Sequence, residues 1–376
     1  MAFRLSLFYA AVFLTVGVML PFWPVWLKSR GLDAAEIGLL LSAGMWIRAF
    51  TNPVIAQLAD RRGQLKAMLI ILSWGALATH ALFFLPGGFW MLLLVSVPST
   101  MMFTAVIPIG DAITMLKVRE GLLDYGRVRL WGSLTFIVGA TGGGYLLKDQ
   151  PEQMILWMII AALALLVVSC HLTPATQTGG AHRFSAPFAA IVKNRKLMIF
   201  MTAAALIQAS HAAYYGFATL HWQAAGLDAA IIGALWAEGV IAEIILFIYS
   251  GKLVQRMGPV AFLALAAITG LIRWSVLGST TELPALIAVQ GFHAFTFGAA
   301  HVAAMHFIAR EIPAEFTATA QSLYSSFAVG ISMAMAMLAA GWLYNRYDSA
   351  AFFAMAGLTL VGGLILIGLR AAPKPG

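Results

Sequence analysis

Of the 376 residues, 61% are apolar and only 10% are charged. A soluble domain has roughly 45–50% apolar and about 25% charged residues, so a wettable surface is excluded and the solvent of this chain is lipid. The net charge of +8 would suit nucleic acid in a soluble protein; here its meaning depends on where the Lys and Arg residues fall.

The apolar runs are continuous rather than alternating, which predicts spanning helices instead of a closed barrel. A span needs about 20 residues, and the runs fall at 5–27, 36–58, 66–86, 89–116, 127–147, 153–172, 197–220, 230–250, 259–278, 284–309, 318–344 and 349–369. The first run reaches Leu27, beyond the roughly 7–15 apolar residues of a signal peptide, so it reads as a retained span. Pro86, Gly87 and Gly88 form a tight turn, and Pro284 opens the tenth span, where a missing N–H costs nothing. The stretch 173–196 is polar and without apolar periodicity, and reads as a flexible linker. The expected organisation is therefore an N-terminal six-helix half at 1–172, a linker at 173–196 and a C-terminal six-helix half at 197–376. The lone cysteine, Cys170, excludes an internal disulfide.

Lys28, Arg30, Lys148 and Arg346 lie on one side of this arrangement, and Arg48 and Arg273 lie within spans. All other Lys and Arg residues fall on the opposite side. The positive-inside rule then predicts that both termini and the linker are cytoplasmic. The basic balance reflects insertion and implies no nucleic acid.

The chain is also internally repeated. Gly31-Leu-Asp-Ala-Ala-Glu-Ile-Gly-Leu-Leu40 returns as Gly226-Leu-Asp-Ala-Ala-Ile-Ile-Gly-Ala-Leu235, and Asp60-Arg-Arg-Gly63 aligns at the same offset with Gln255-Arg-Met-Gly258. Two six-helix halves related by a parallel repeat are a secondary-transporter pattern. The repeat places Arg48 and Glu243 at equivalent mid-span positions. Ionisable groups at such depth are costly, at least about 2.5–3.5 kcal/mol, and are functional candidates by default. The expectation is that both face a central cavity, Arg48 pairing with a substrate carboxylate and Glu243 carrying a proton, since desolvation favours a neutral carboxyl. The alternative is a static ion pair holding the halves together.

Other candidates follow from helical spacing. Gln208, His211, Tyr215 and Thr219 share one face of the seventh span, and Gln290, His293, Phe297 and His301 share one face of the tenth. These stripes line a cavity or form interhelical hydrogen bonds; His293 or His301 is a candidate proton relay, because histidine titrates near neutral pH. Arg273 and Glu238 read either as a structural salt bridge or as a substrate anchor and an accessory proton site. Asp111, near the cytoplasmic end of the fourth span, is expected to pair with Arg61, Arg62 or Arg129 as a gating latch, with Asp60 joining that cluster. The glycines of the fifth span, Gly139, Gly142, Gly143 and Gly144, suit close helix packing. No compact His/Cys/Asp cluster suggests a metal, no cofactor motif is present, and no nucleophile set supports an enzyme.

Several stretches carry a family resemblance. Asp60-Arg61-Arg62-Gly63 resembles the loop signature of the major facilitator superfamily, departing from it at Ala56 and Gln64. Leu20-Pro-Phe-Trp-Pro-Val-Trp-Leu27, Asp124-Tyr-Gly-Arg-Val-Arg-Leu-Trp-Gly-Ser133 and His211-Ala-Ala-Tyr-Tyr-Gly-Phe217 with Trp222-Gln-Ala-Ala-Gly226 are similar to the phenylpropionate permease group, relatives of the lactose permease type. The resemblance implies a twelve-helix, multi-pass transporter of the bacterial inner membrane that acts as a monomer. It also implies proton-coupled uptake of 3-phenylpropionate or a related aromatic acid by alternating access, with charged residues of helices 8, 9 and 10 in the coupling. Efflux of drugs or metabolites on the same fold is the alternative.

Overall fold

The computed structural model describes residues 1–175, 188–313 and 316–370; the side chains of residues 56, 60–62, 188–190, 318 and 370 lie outside this description. The chain is all-helical, and each expected span is a helix. They are α1 (Ala2–Ser29), α2 (Ala34–Ala59), α3 (Leu65–Phe84), α4 (Phe89–Arg119), α5 (Tyr125–Leu147), α6 (Gln153–Leu172), α7 (Arg195–Ala224), α8 (Ala229–Met257), α9 (Pro259–Ser279), α10 (Leu283–Glu311), α11 (Thr319–Tyr347) and α12 (Ala350–Leu369). A short helix, Phe188–Lys193, precedes α7.

The repeated decapeptide is a pair of helix caps. Gly31 and Gly226 have φ of 87° and 89°, a region that costs glycine nothing and other residues much. Each follows a helix, and the amide of the next leucine reaches back to the last turn: Leu32 N–H donates to Leu27 O (3.4 Å) and Leu227 N–H to Trp222 O (3.0 Å). This is the Schellman closure. Asp33 and Asp228 then cap the following helices, accepting from Glu36 N (2.8 Å) and Ile231 N (2.8 Å). In the first copy Glu36 returns the bond to Asp33 N (3.0 Å), completing a capping box. The second copy has Ile231 there and forms no box. Gly63 and Gly258, also repeat partners, both take positive φ (64° and 80°).

By contacts the chain divides into two compact units. Unit 1 holds α1–α6 together with Trp222–Ala237, the end of α7 and the start of α8; unit 2 holds the rest of α7 and α8 with α9–α12. Within unit 1, α1 and α5 cross backbone to backbone. A Cβ at Gly17 would lie 2.5 Å from Phe136 O, and one at Gly139 would lie 2.8 Å from Leu14 O. Such contact is the way small residues draw membrane helices together. Gly144 and Gly233 let α5 meet the first turns of α8 in the same manner, against Ala229 O and Ala140 O. Lys148 and Asp228 add a half-exposed ion pair at that contact (3.7 Å). In unit 2, Phe200 and Phe307 stack at 3.9 Å in a core of alanine, leucine and phenylalanine.

Two helices of unit 2 are irregular where the polar stripes lie. Regular α-helix in α7 stops at Ala209 and resumes at Ala212, leaving Ser210 and His211 at the break. In α10 the α-helix stops at Gln290, and Ala294–Ala299 is a π-helix; a second π-helix, Ser325–Ile331, lies in α11. Such interruptions free backbone groups and re-aim side chains, and they are frequent at functional sites.

Candidate functional site

Unit 1 contains a cavity of about 170 Å³ lined by α1–α4. Arg48 is on its wall, with Trp23 and Phe83 (rings 4.9 Å apart, edge to face), Met19 and Met45. Four hydroxyls of α4 face the same space: Ser96, Ser99, Thr100 and Thr104. Ser99 and Thr104 donate to carbonyls one turn back, Val95 O and Thr100 O (both 2.8 Å), and Thr104 also donates to Asn52 Oδ1 (3.1 Å). His80 completes the lining; its Nδ1 lies 2.8 Å from Ala76 O. A carbonyl only accepts, so that nitrogen carries the proton. The cavity thus pairs one guanidinium with aromatic, thioether and hydroxyl groups. Of these residues only Arg48 was expected from the sequence. The signal for the others was present: Ser96, Ser99, Thr100 and Thr104 are spaced i, i+3, i+4, i+8 on one helical face.

In unit 2 the structure gathers Gln208, His211, Arg273, Gln290 and His293 into one buried network. Arg273 is fully buried. It donates through Nη1 to His293 Nδ1 (3.1 Å) and Thr296 Oγ1 (3.1 Å), and through Nη2 to Gln290 Oε1 (2.8 Å). Its guanidinium lies over the rings of Tyr214 (4.4 Å) and Trp274 (4.7 Å); such contacts are worth about 0.5–2 kcal/mol when desolvated. Among the described residues no carboxylate lies within 4.0 Å of it, so its hydrogen-bond partners are neutral. Gln290 passes a bond to the Tyr214 hydroxyl (3.0 Å), and Trp274 Nε1 donates to Ser210 Oγ (2.9 Å) at the α7 break.

These donors fix both histidines. Arginine only donates, so His293 Nδ1 accepts, and the proton of a neutral ring sits on Nε2. That nitrogen faces Glu243 Oε2 at 3.8 Å. His211 has the opposite arrangement. Its Nδ1 donates to Gln208 O (3.0 Å), and its Nε2 accepts from the Thr296 hydroxyl (3.0 Å), which itself accepts from Arg273. A directed chain therefore runs from Arg273 through Thr296 to His211, and a second runs from Arg273 through His293 toward Glu243.

The remaining candidates fall as follows. Tyr215 stacks on His211 (5.5 Å). Gln208 donates to the Tyr324 hydroxyl (3.3 Å). Glu238 is half-buried and forms no ion pair with Arg273 within 4.0 Å, so the salt-bridge reading of this pair is not met. On the stripe of α10, Phe297 stacks on His293 (5.5 Å). His301, beyond the π-helix at Ala294–Ala299, lies beside Tyr324 (6.2 Å), whose hydroxyl accepts from Gln208. Asp111 does not pair with Arg129. It accepts from the hydroxyls of Tyr9 (2.5 Å) and Tyr125 (3.2 Å), while Arg129 stacks on Phe13 (3.8 Å) and lies 5.6 Å from the Tyr9 ring. Two phenol donors satisfy the carboxylate, and the guanidinium lies against ring faces. The side chains of Asp60, Arg61 and Arg62 lie outside the described residues; Gly63 ends its helix in positive φ.

The comparisons with known proteins agree with this architecture. The model of the MFS_1 like family matches residues 2–355. This chain belongs to that family. It is 36% identical over 362 residues to a protein of Escherichia coli (strain K12) described as a probable 3-phenylpropionic acid transporter, covering 95% of this chain and 94% of the relative. It is 23% identical to the maltose permease of Geobacillus stearothermophilus, over 96% and 92% of the two chains. Among solved structures, the nucleoside transporter NupG matches with a TM-score of 0.88 at 15% identity, over 99% of each chain. A bacterial homolog of the lysosomal transporter Spinster, inward-facing and unoccupied, matches with a TM-score of 0.78 at 13% identity, over 100% and 98%. The MFS_1-like chain is accordingly a twelve-helix transporter of small molecules, a multi-pass protein of the inner membrane and not an enzyme.

Proposed function

We propose that this MFS_1-like transporter takes up a small aromatic monocarboxylate, such as 3-phenylpropionate, together with protons and by alternating access. The observation that carries the reading is the unit 1 cavity, where Arg48 is the guanidinium among Trp23, Phe83, Met19 and Met45. A carboxylate pairs with Arg48 through charge-assisted bonds, and the phenyl ring takes the aromatic and thioether wall. The 36% identical relative, described as a probable 3-phenylpropionic acid transporter, supports the same substrate class.

Arg273 has a different role in this proposal. It is enclosed, and both of its terminal nitrogens are committed, so it acts as a fixed charge beside the proton site rather than as the anchor. Glu243 carries the proton. His293 presents Nε2–H to it, and Arg273 opposes a second proton on that ring. Glu238, also within the reach of the Arg273 field, is the accessory acid. His301 stands apart from the relay. The linker and both termini are cytoplasmic in this reading, on the distribution of Lys and Arg, and the chain acts as a monomer.

The test is uptake of labelled 3-phenylpropionate into proteoliposomes with and without an imposed gradient, alkaline inside. Accumulation that requires the gradient supports proton-coupled uptake. Equal uptake under both conditions overturns the coupling, and absence of uptake and of binding overturns the substrate class.

A further inference from the structure

The unit 1 cavity offers two polar atoms that an unsubstituted phenyl ring leaves unused. Ser96 is 5% exposed, and its Oγ has no hydrogen-bond partner, unlike the neighbouring hydroxyls of Ser99 and Thr104, which donate to carbonyls of α4. A buried polar atom left unpaired is destabilising. His80 is 2% exposed. Its Nδ1–H is spent on Ala76 O, so in the neutral ring Nε2 is an acceptor. Phe83 and Phe103 pack edge-on against the imidazole at 5.9 and 6.2 Å and hold its orientation. Both Ser96 and His80 line the cavity that also holds Arg48.

Their place along the cavity matters. α2 and α4 run parallel. A Cβ at Gly44 would lie 3.3 Å from Thr100 Oγ1, and further along Asn52 Nδ2 donates to Thr104 O (3.4 Å). Arg48 lies one turn beyond the Gly44–Thr100 level, and Ser96 one turn before it. At 1.5 Å per residue their levels differ by roughly 6 Å counted from the Asn52–Thr104 contact and by roughly 12 Å counted from the Gly44–Thr100 contact. A phenylpropionate bearing a hydroxyl on the ring is about long enough to bridge the two ends, with the carboxylate at one and the phenol at the other.

Resting on the substrate reading above, we propose that the preferred substrates are ring-hydroxylated aromatic acids of the 3-(hydroxyphenyl)propionate type, read by Ser96 and His80. The phenol O–H donates to His80 Nε2 and its oxygen accepts from Ser96 Oγ–H, while Arg48 holds the carboxylate. Ser96 Oγ and His80 Nε2 then have partners that unsubstituted 3-phenylpropionate does not provide. Sites built to bind a substrate hydroxyl reject the analogue lacking it far more strongly than apolar pockets reject a missing methylene.

The experiment is competition for binding to the purified full-length protein by 3-phenylpropionate and its 3- and 4-hydroxy derivatives, in wild type, Ser96→Ala and His80→Phe. At least one hydroxylated acid is expected to bind about tenfold more tightly than the parent, and the ratio is expected to fall toward one in both variants. Ser96→Ala removes an atom that makes no bond in the protein, so its folding is secure even where His80→Phe proves unstable. Binding of the parent acid with no preference for either hydroxylated form, or a preference that Ser96→Ala leaves intact, overturns this inference and leaves the uptake reading standing. Failure of all three acids to bind overturns both.

Discussion

Arg48→Gln tests the substrate site most directly. Arg48 supplies the guanidinium of the cavity lining, and the other polar residues there are hydroxyls and the Nδ1-bonded His80. Hydrogen bonds to charged groups contribute about 1.5–3 kcal/mol, which corresponds to roughly 10- to 150-fold in affinity. Glutamine keeps an amide NH₂ and much of the length, so the loss belongs to the charge and the planar fork of the guanidinium. Arg48→Lys keeps the charge without the planar fork and should fall between the two. The assay is equilibrium binding of labelled 3-phenylpropionate to purified protein, alongside its neutral amide, 3-phenylpropanamide. The acid should lose the predicted factor in Arg48→Gln, and the amide should change by less than about threefold, because it never used the charge. A folded Arg48→Gln protein that binds the acid within twofold of wild type would refute the assignment. If Arg273→Gln instead produced the acid-selective loss, the anchor would belong to the buried network of unit 2.

Glu243→Gln removes the proposed proton carrier while preserving shape. It should abolish accumulation against a gradient and retain counterflow of labelled substrate, and normal accumulation by this variant would exclude the role. Uptake in the wild type should weaken as external pH rises, because each inward step of the proposed symport consumes an external proton; initial rates across a pH series at constant internal pH measure this. Gly17→Leu should destabilise unit 1, since even its Cβ would sit 2.5 Å from Phe136 O; overpacking of this kind costs about 1–3 kcal/mol or more, read as a lowered thermal midpoint in detergent. Gly144→Val places a side chain against Ala229 O and should force α5 from the start of α8. It should slow counterflow severely while equilibrium binding persists, whereas unchanged counterflow would mean the contact has no part in the transport cycle.

The spans were legible because lipid leaves few options: runs of about 20 apolar residues bounded by Gly, Pro and charge can only be helices. The network of unit 2 was legible in part. Gln208, His211, Gln290 and His293 lie on faces that helical spacing identifies, but their convergence depends on Arg273 from a third helix. The π-helix at Ala294–Ala299 was not legible, because spacing arguments assume an unbroken period. The partner of Asp111 was hidden for another reason. Tyr9 lies about a hundred residues away in sequence, and a phenol has no charge to advertise it. The cavity hydroxyls were on one face from the start, yet serine and threonine in membrane helices usually bond to their own helix. Only the structure separates Ser96, which does not, from Ser99 and Thr104, which do.

The repeat explains why function could diverge on a preserved frame. The shared Gly-Leu-Asp residues are spent on the caps, where positive φ at Gly31 and Gly226 and the Asp33 and Asp228 side chains end one helix and start the next. Those groups act within about one turn and leave the middle of α2 and α8 unconstrained. At the equivalent mid-helix positions, Arg48 meets a cavity with aromatic and hydroxyl walls, and Glu243 meets a histidine whose tautomer is set by a buried arginine. Opposite charges at equivalent sites need opposite surroundings. On the proposed reading, a cation that takes a substrate carboxylate needs space and ring faces, while an acid that gains and loses a proton needs a neutral donor and a fixed positive charge nearby. Each half supplies the surroundings its own charge requires, so exchanging the two residues should abolish both binding and coupling rather than transfer them.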